Sequence, residues 1–262
     1  MREASCAGQP QTQRHDRVSG LLLSEDMTLS GSVPSLLDPL TSDELALVRS
    51  RGITRSFQPD ETVFTQGSQR DGIYIIESGN IRVFYVSPSG REITLAYWSS
   101  GNFVGGPEVF GRGVHTWSGI AVSPCIVFAI KGPDLRQLVV EIPALAIGLI
   151  EGLSFKGACY SALAQMLGTH SVTERLIHLL LRLAEFHGVP SERGTLIAVA
   201  FTHADLANIV GATRQWVTTT LARLEDRGAL AVRNGRIFVV DSRALASSLP
   251  SNAADPNGIL LS

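Results

Sequence analysis

Cysteine and long apolar runs are scarce in this chain of 262 residues. The 3 cysteines, Cys6, Cys125 and Cys159, are widely spaced, so they predict neither a disulfide framework nor a Cys-x-x-Cys metal site. Every apolar run falls well short of the roughly 20 residues that a membrane span needs. Acidic residues directly follow the short patch Leu21–Leu23, which argues against a signal peptide. These absences predict a cytoplasmic protein without a membrane partner.

The sequence also lacks the common catalytic motifs. It contains no Gly-x-Ser-x-Gly, no Walker phosphate loop, no His-Glu-x-x-His and no Gly-x-Gly-x-x-Gly after a predicted strand. The pair Gly105-Gly106 is more typical of a turn than of a phosphate-binding loop. We therefore do not expect an enzyme.

Charge gives no whole-chain sign of a nucleic-acid partner, because the formal net charge is −2. Of the 22 Lys and Arg residues only Lys131 and Lys156 are lysines, a bias that we attribute to genome composition. The charge is nevertheless uneven. Residues 172–249 hold 9 Arg and 7 acidic residues, a net of +2 that leaves −4 for the remainder. A mildly basic C-terminal region therefore follows an acidic N-terminal one.

Strand patterns dominate residues 53–130, after a small helix at Leu36–Val48 with a Thr41/Glu44 capping box. Short runs rich in Ile, Val, Phe and Tyr alternate there with glycine, which predicts an antiparallel barrel or jelly roll. The predicted strands are Ile53–Phe57, Thr62–Thr65, Ile73–Glu77, Ile81–Ser87, Glu92–Trp98, Trp117–Val122 and Cys125–Ile130.

A long helix is predicted over residues 142–170, starting at Pro143. Residues spaced three or four apart form a narrow seam along this helix, namely Ile142, Ala146, Leu149, Leu153, Lys156, Tyr160, Leu163, Leu167 and His170. Such a seam favours a dimer interface of the coiled-coil type. The alternative is a helix that packs against its own barrel. A second amphipathic helix, over residues 172–188, is expected to end at a Gly188 C-cap.

Two short helices joined by a glycine turn follow in residues 202–228. Thr202 and Asp205 form a capping box for a helix to Val210, and Gly211 supplies the turn. Thr213 is the N-cap of a second helix, Arg214–Asp226. Two strands joined by Asn234-Gly235 come next, and this dipeptide is the strongest short hairpin signal. The order predicts a winged helix-turn-helix.

The second of these helices is the candidate recognition helix, which presents its N-terminal residues to base edges. Arg214 has the geometry for guanine and Gln215 for adenine. Thr218 and Thr219, one turn later, can meet a thymine methyl group or a phosphate. Three further residues are candidate phosphate contacts, namely Thr202, His203 and Thr213. Trp216 is expected to pack against the wing or to lie along the DNA backbone.

The chain resembles the cyclic-AMP receptor/fumarate-nitrate regulator (Crp/Fnr) family of bacterial transcription factors over residues 36 to 245. The motifs that carry this resemblance are Gln66-Gly67, Tyr74-Ile75-Ile76-Glu77-Ser78-Gly79, Gly90-Arg91-Glu92-Ile93, Gly101-Asn102-Phe103-Val104-Gly105, Thr202-His203-Ala204-Asp205-Leu206-Ala207, Gly211-Ala212-Thr213-Arg214-Gln215 and Leu221–Gly228. The resemblance implies an α+β chain with a cyclic-nucleotide-binding-like β jelly roll, a long dimerisation helix and a C-terminal winged helix-turn-helix.

The expected domain organisation follows from these elements. We predict a flexible N-terminal extension at 1–30, an effector-sensing jelly roll at 31–141, a dimerisation helix at 142–170, a DNA-binding domain at 171–249 and a flexible tail at 250–262. The resemblance implies a homodimer that binds a two-fold symmetric double-stranded DNA operator, with RNA polymerase as a further partner.

The expected effector pocket departs from that of the cyclic-nucleotide binders. Those proteins carry a Glu for the ribose and an Arg with a hydroxyl neighbour for the cyclic phosphate. The corresponding residues here are Gly106, Thr116 and Trp117. On the long helix, Ser161 matches a polar effector contact, whereas the bulky Tyr160 would crowd a purine. The candidate effector residues are Gly105, Gly106, Glu108, Thr116, Trp117, Tyr160 and Ser161.

Other effector classes stay open to different degrees. An iron–sulfur cluster is excluded, because it needs four cysteines. Haem would need His115 or Cys125 as an axial ligand, and redox sensing would need a reactive Cys125 or Cys159. We predict no fixed cofactor, and a small metabolite or no ligand is the leading expectation. A sensor module that does not bind an operator is the alternative to a DNA-binding regulator.

We predict that cyclic AMP is not a tight ligand. A buried phosphate without its guanidinium loses a charge-assisted hydrogen bond worth about 1.5–3 kcal/mol. Calorimetric titration of the purified protein with cyclic AMP should detect no micromolar affinity. Micromolar binding would show that another group, such as Arg112, replaces the missing arginine.

Overall fold

The computed structural model describes residues 35–249. The predicted extensions at 1–30 and 250–262, and with them Cys6, lie outside the described residues. Two four-stranded antiparallel sheets form the N-terminal half, in the orders β1-β8-β3-β6 and β2-β7-β4-β5. The strands are β1 Gly52–Phe57, β2 Thr62–Phe64, β3 Gly72–Ser78, β4 Asn80–Val86, β5 Glu92–Ser99, β6 Phe103–Val104, β7 Ser118–Ala121 and β8 Cys125–Lys131. This arrangement confirms the predicted jelly roll.

Three helices flank the two sheets. Helix α1, Ser42–Ser50, begins at the predicted capping box of Thr41 and Glu44. Helix α2, Gly132–Glu141, was not predicted, and it leads into the long helix α3, Pro143–Thr169. Residues of α2 and α3 share a buried cluster with the first sheet, through Leu135, Leu145 and Phe128. The long helix therefore packs on its own sensor domain.

This packing corrects the predicted dimer seam of α3. Ile142, Leu149 and Leu163 of that seam are buried within the same chain, with 1%, 4% and 7% of their surface exposed. Because their own chain already covers them, they are not available to a second subunit. The exposed apolar side chains of α3 are instead Ile147 and Ile150. The alternative, a helix packed against its own barrel, describes these residues.

The C-terminal half combines helices with a small sheet. Its elements are α4 Val172–His187, β9 Gly188–Ser191, β10 Gly194–Ile197, α5 His203–Val210, α6 Arg214–Asp226, β11 Leu230–Arg233, β12 Arg236–Val239 and α7 Ser242–Ala246. The sheet order is β11-β12-β10-β9. Strands β9 and β10 were not predicted. Gly188 is the C-cap of α4, as predicted, but its backbone is extended (φ −80°) rather than left-handed, and it also starts β9.

Two turns have the backbone that the sequence predicts. Gly211 ends α5 in the left-handed region, at φ 69°, and so separates α5 from α6. Asn234 and Gly235 both have positive φ, 52° and 70°, as a two-residue hairpin turn of type I′ requires. Strands β11 and β12 form the wing, and the winged helix-turn-helix is confirmed.

Strand β5 of the sensor domain also contacts the C-terminal half. Tyr97 is 6% exposed and belongs to the C-terminal core, where its ring meets Phe201 edge-on at 6.5 Å. The amide of Asn208 on α5 donates to Glu92 at 3.1 Å, and the Arg91 guanidinium donates to the Gly211 carbonyl. The two halves are therefore joined by apolar packing and by hydrogen bonds.

Within residues 35–249, no single helix is long and apolar enough to cross a membrane. Helices α2 and α3 together meet the length and composition criteria, but the chain bends by 118° between them.

Candidate functional site

The first turn of α6 presents the two predicted base-reading side chains to solvent. The Thr213 hydroxyl accepts a hydrogen bond from the Trp216 backbone N–H, so α6 begins directly after this cap. Arg214 and Gln215 follow as the first helical residues, and both are exposed. Val217 and Leu221 on the opposite face are buried in the domain core, which fixes the rotation of the helix.

The hydroxyl groups near this turn already have partners in the protein. Thr218 donates to the Arg214 carbonyl at 2.9 Å and lies 2.8 Å from His203 Nδ1. Thr219 donates to the Gln215 carbonyl at 3.1 Å. The contact between His203 and Thr218 joins the start of α5 to α6. Their methyl and imidazole groups remain available at this surface.

Two other predicted features fit the same surface. The Thr202 hydroxyl donates to the Asp205 carboxylate at 2.7 Å and accepts from its backbone N–H, which completes the capping box of α5. Trp216 is half-buried against the C-terminal core. Its ring therefore serves packing in this structure.

A second candidate site is a cavity of about 120 Å³ between α3 and the sensor sheets. Its walls are mostly apolar and aromatic, from Val83, Trp98, Phe103, Val104, Trp117 and Leu153. Gly105, Gly106 and Tyr160 also line it, so the structure brings together four of the seven predicted effector residues, Trp117 included.

The other three predicted effector residues lie away from this cavity. The Glu108 carboxylate accepts hydrogen bonds from the backbone N–H groups of Phe110 and Arg112, so it holds its own loop. Thr116 is exposed, and Ser161 lies on the exposed face of α3. Within a single chain these three side chains do not form one pocket with Trp117 and Tyr160.

Lys156 of α3 lines the cavity and was missed by the sequence analysis. Its side chain is buried, with 8% of the residue exposed. The ammonium lies 3.2 Å from the Trp98 ring centroid and 5.0 Å from that of Phe103. Among the described residues, Nζ has no hydrogen-bond partner. The available signal was a lysine, one of only two in the chain, within an otherwise apolar helical stripe.

Burial changes the ionisation of this cluster. Desolvation lowers the pKa of Lys156 from 10.5 to about 7, because the charged form loses its hydration. Desolvation raises the pKa of Cys159 to about 11 and that of Tyr160 to about 12. Both neighbours are therefore neutral near pH 7, and neither supplies a negative charge to the ammonium.

Arg70 is a second buried cation, and it packs against Gly106. The Arg70 guanidinium lies 3.1 Å from the position that a Cβ atom on Gly106 would take. It donates to the carbonyls of Val114, at 2.7 Å, and Arg112, at 3.3 Å. A side chain at position 106 would therefore press on Arg70, which would have to shift by a few tenths of an ångström, and the φ of +118° at Gly106 disfavours any L side chain. Both features act against a Glu at the position that binds the ribose in the cyclic-nucleotide binders.

The residues suggested for haem or redox sensing lie in other surroundings. His115 is buried, with Nδ1 at 3.0 Å from the Gly105 carbonyl and its ring stacked on Phe64. Desolvation raises the pKa of the Cys125 and Cys159 thiols to about 11, the opposite of what a reactive thiolate needs. The cavity lining contains neither His nor Cys.

Family models match both halves of the chain. A cyclic nucleotide-binding domain matches residues 54–141, and a Crp-like helix-turn-helix domain matches residues 174–248. These matches fall on the jelly roll and on the winged helix. The chain belongs to the Crp/Fnr family. It is a Crp/Fnr-type DNA-binding transcription regulator, and its homologues are regulators rather than enzymes.

Similar proteins match about three quarters of this Crp/Fnr regulator. A global nitrogen regulator of Synechococcus elongatus is 27% identical over 192 residues, which is 72% of this chain and 86% of the relative. A CRP-like cAMP-activated global transcriptional regulator of Mycobacterium tuberculosis is 26% identical over 200 residues, 74% and 89% of the two chains. The c-di-GMP responsive global regulator CLP of Xanthomonas campestris has the same fold. Its TM-score is 0.68 at 21% identity, over 76% of this chain and 99% of that one.

We predict that Lys156→Met stabilises this Crp/Fnr regulator by about 1–4 kcal/mol near pH 6, because an unpaired buried charge is replaced by an apolar side chain of similar length. The folded state binds fewer protons than the unfolded state between about pH 7 and 10.5. The cost of burying Lys156 is therefore complete below pH 7 and disappears as the pH rises to 10.5.

Urea unfolding at pH 6 and pH 9 checks this prediction, with the exposed Lys131→Met as the matched control. The gain of Lys156→Met should be smaller at pH 9, while the control should change little at either pH. An equal gain at the two pH values would contradict the charged, desolvated state of Lys156.

Proposed function

We propose that this regulator binds a two-fold symmetric DNA operator as a homodimer and that an effector other than cyclic AMP controls it. The observation that carries the DNA-reading part is the exposed pair Arg214 and Gln215 at the start of α6, beside a formed wing. RNA polymerase is the expected protein partner of the DNA-bound dimer.

The proposed base contacts follow from the side-chain chemistry of α6. The Arg214 guanidinium can donate two hydrogen bonds to guanine O6 and N7, and the Gln215 amide can pair with adenine N6 and N7. His203 at the start of α5 lies 2.8 Å from the Thr218 hydroxyl of α6, so the N-terminal end of α5 lies beside the exposed face of α6. Helix N-termini attract phosphates, so this surface suits the DNA backbone on either side of the base contacts.

The exposed face of α3 supports a homodimer. Ile147 and Ile150 are 57% and 64% exposed, and small residues continue the same stripe as Ser154, Gly157 and Ser161. A Cβ atom on Gly157 would meet no atom within 4 Å, so the surface is open there. Two copies of this stripe can pack across a two-fold axis, which matches the symmetry of the proposed operator.

Strand β5 offers a route for effector control. Successive side chains of a strand point to opposite faces, so Trp98 forms a cavity wall while Tyr97 enters the C-terminal core. At the start of the same strand Glu92 accepts from Asn208 of α5. A ligand that moves Trp98 therefore acts on a strand that also holds the helix-turn-helix.

We predict that Arg214→Ala weakens binding to a selected operator by about 1–3 kcal/mol and relaxes discrimination at one base position. Fluorescence anisotropy with the operator and with single-base variants measures both effects. Arg193→Ala is the control, because Arg193 is exposed next to β9, at the sheet edge opposite the wing. Equal weakening on all DNA sequences would make Arg214 a phosphate contact instead.

We predict that Ile150→Glu converts the dimer to monomers, because it places two carboxylates at the centre of the proposed two-fold contact. Sedimentation equilibrium of the variant should give the mass of one chain, and the wild type should give twice that mass. Val140→Glu is the control, as Val140 of α2 is 79% exposed but lies off the α3 stripe. A dimeric Ile150→Glu protein would place the interface elsewhere.

A further inference from the structure

Lys156 is a buried cation for which the described part of the chain supplies no counter-charge. Its Nζ atom has no hydrogen-bond partner there and rests on the face of Trp98, 3.2 Å from the ring centroid. A cation over a Trp ring gains some stabilisation, but a buried ammonium also requires acceptors for its three N–H bonds. Lys156 lines the cavity, although Nζ itself is covered by Trp98. A ligand in the cavity can supply those acceptors when the flexible lysine side chain turns from the Trp98 ring towards it.

The cavity also sets the size and the shape of its occupant. Its volume of about 120 Å³ is close to that of an engineered cavity of roughly 150 Å³ that binds benzene. Its aromatic walls include Trp98, Phe103 and Trp117, and the ring of Tyr160 lies 5.7 Å from that of Trp117. Such walls favour a flat ring, packed edge-on or with an offset stack. A ligand with a single ring therefore matches this volume.

We propose that this cavity binds a small aromatic monoanion of the benzoate class, whose carboxylate pairs with the Lys156 ammonium while its ring packs against Trp98, Phe103 and Trp117. The inference rests on the proposed function only in naming this ligand an effector of DNA binding.

The charges around Lys156 favour one negative charge over none or two. Cys159 and Tyr160, the titratable neighbours on α3, are held neutral by their raised pKa values. The Arg70 guanidinium lies behind Gly106 and is not part of the cavity lining. It donates to two carbonyls, and its Nε has no hydrogen-bond partner among the described residues. A neutral ligand would leave the ammonium uncompensated, and the second carboxylate of a dianion would be buried without a partner.

Ligand binding should therefore be linked to proton uptake. In the empty protein desolvation holds the pKa of Lys156 near 7, so the amine is largely neutral at pH 8. A carboxylate next to the amine favours its charged form and raises its pKa. Each ligand bound at pH 8 should then take up close to one proton, whereas at pH 6 it should take up almost none.

Isothermal titration calorimetry with benzoate tests the proposal, with benzamide as the neutral ligand of the same shape and terephthalate as the dianion. We expect benzoate to bind about 10–100-fold more tightly than either, as a charge-assisted hydrogen bond allows. Titrations at pH 8 in buffers of different ionisation enthalpy should report the proton uptake. Lys156→Met should abolish the preference for benzoate, and Lys131→Met, which replaces the only other lysine, should retain it.

A second measurement uses the wild type alone and so does not depend on how a variant folds. In protein labelled with ¹⁵N-lysine only two side-chain Nζ signals arise, from Lys131 and Lys156. Benzoate should shift the Lys156 signal towards that of a charged amine and leave the Lys131 signal unchanged.

The proposal is overturned if benzoate does not bind, if benzamide binds equally well, or if neither lysine signal responds. None of these experiments contains DNA. A regulator that binds benzoate but no operator would thus refute the proposed function alone, and one that binds an operator but no benzoate would refute this inference alone.

Discussion

The two halves of this regulator depend on one strand, because the alternating side chains of β5 enter both cores. Tyr97 is 6% exposed among residues of the winged helix, and Trp98 is 1% exposed among residues of the sensor. A strand cannot shift one of these side chains without shifting its neighbour. The hydrogen bond between Glu92 and Asn208 ties the start of the same strand to α5. Strand β5 therefore connects the sensor domain mechanically to the winged helix within one chain.

The buried charge of Lys156 lies beside Trp98 of this strand. An ammonium in an apolar cavity costs stability, and its cation–π contact with Trp98 offsets only part of that cost. We therefore expect an apolar side chain of the same length at position 156 to make the protein more stable. A ligand that neutralises the Lys156 charge removes this cost. Such a ligand also contacts Trp98 on β5. We propose that binding energy at the cavity is in this way linked to the position of the helix-turn-helix.

Local sequence signals predicted the winged helix-turn-helix well, because its caps and turns depend on residues that are close in the sequence. The Thr202 and Thr213 caps define where α5 and α6 begin, and Asn234-Gly235 fixes the wing turn by its positive φ. The sensor cavity depends on contacts between distant segments. Lys156 meets Trp98 only after α3 packs on the sheets, and periodicity alone cannot tell a face that packs on its own barrel from a dimer seam. The sequence pattern therefore grouped Lys156 correctly with one face of α3, but it assigned that face to a second subunit instead of to the sensor sheets.

The most direct test is the affinity of the protein for one selected DNA site with and without saturating benzoate. We predict that benzoate changes the dissociation constant of the wild type by about 5-fold or more, the usual scale of coupling between two sites, and leaves that of Lys156→Met unchanged. Calorimetry on the same samples confirms that the cavity is occupied. An identical DNA affinity for the empty and the occupied wild type would contradict the coupling through β5.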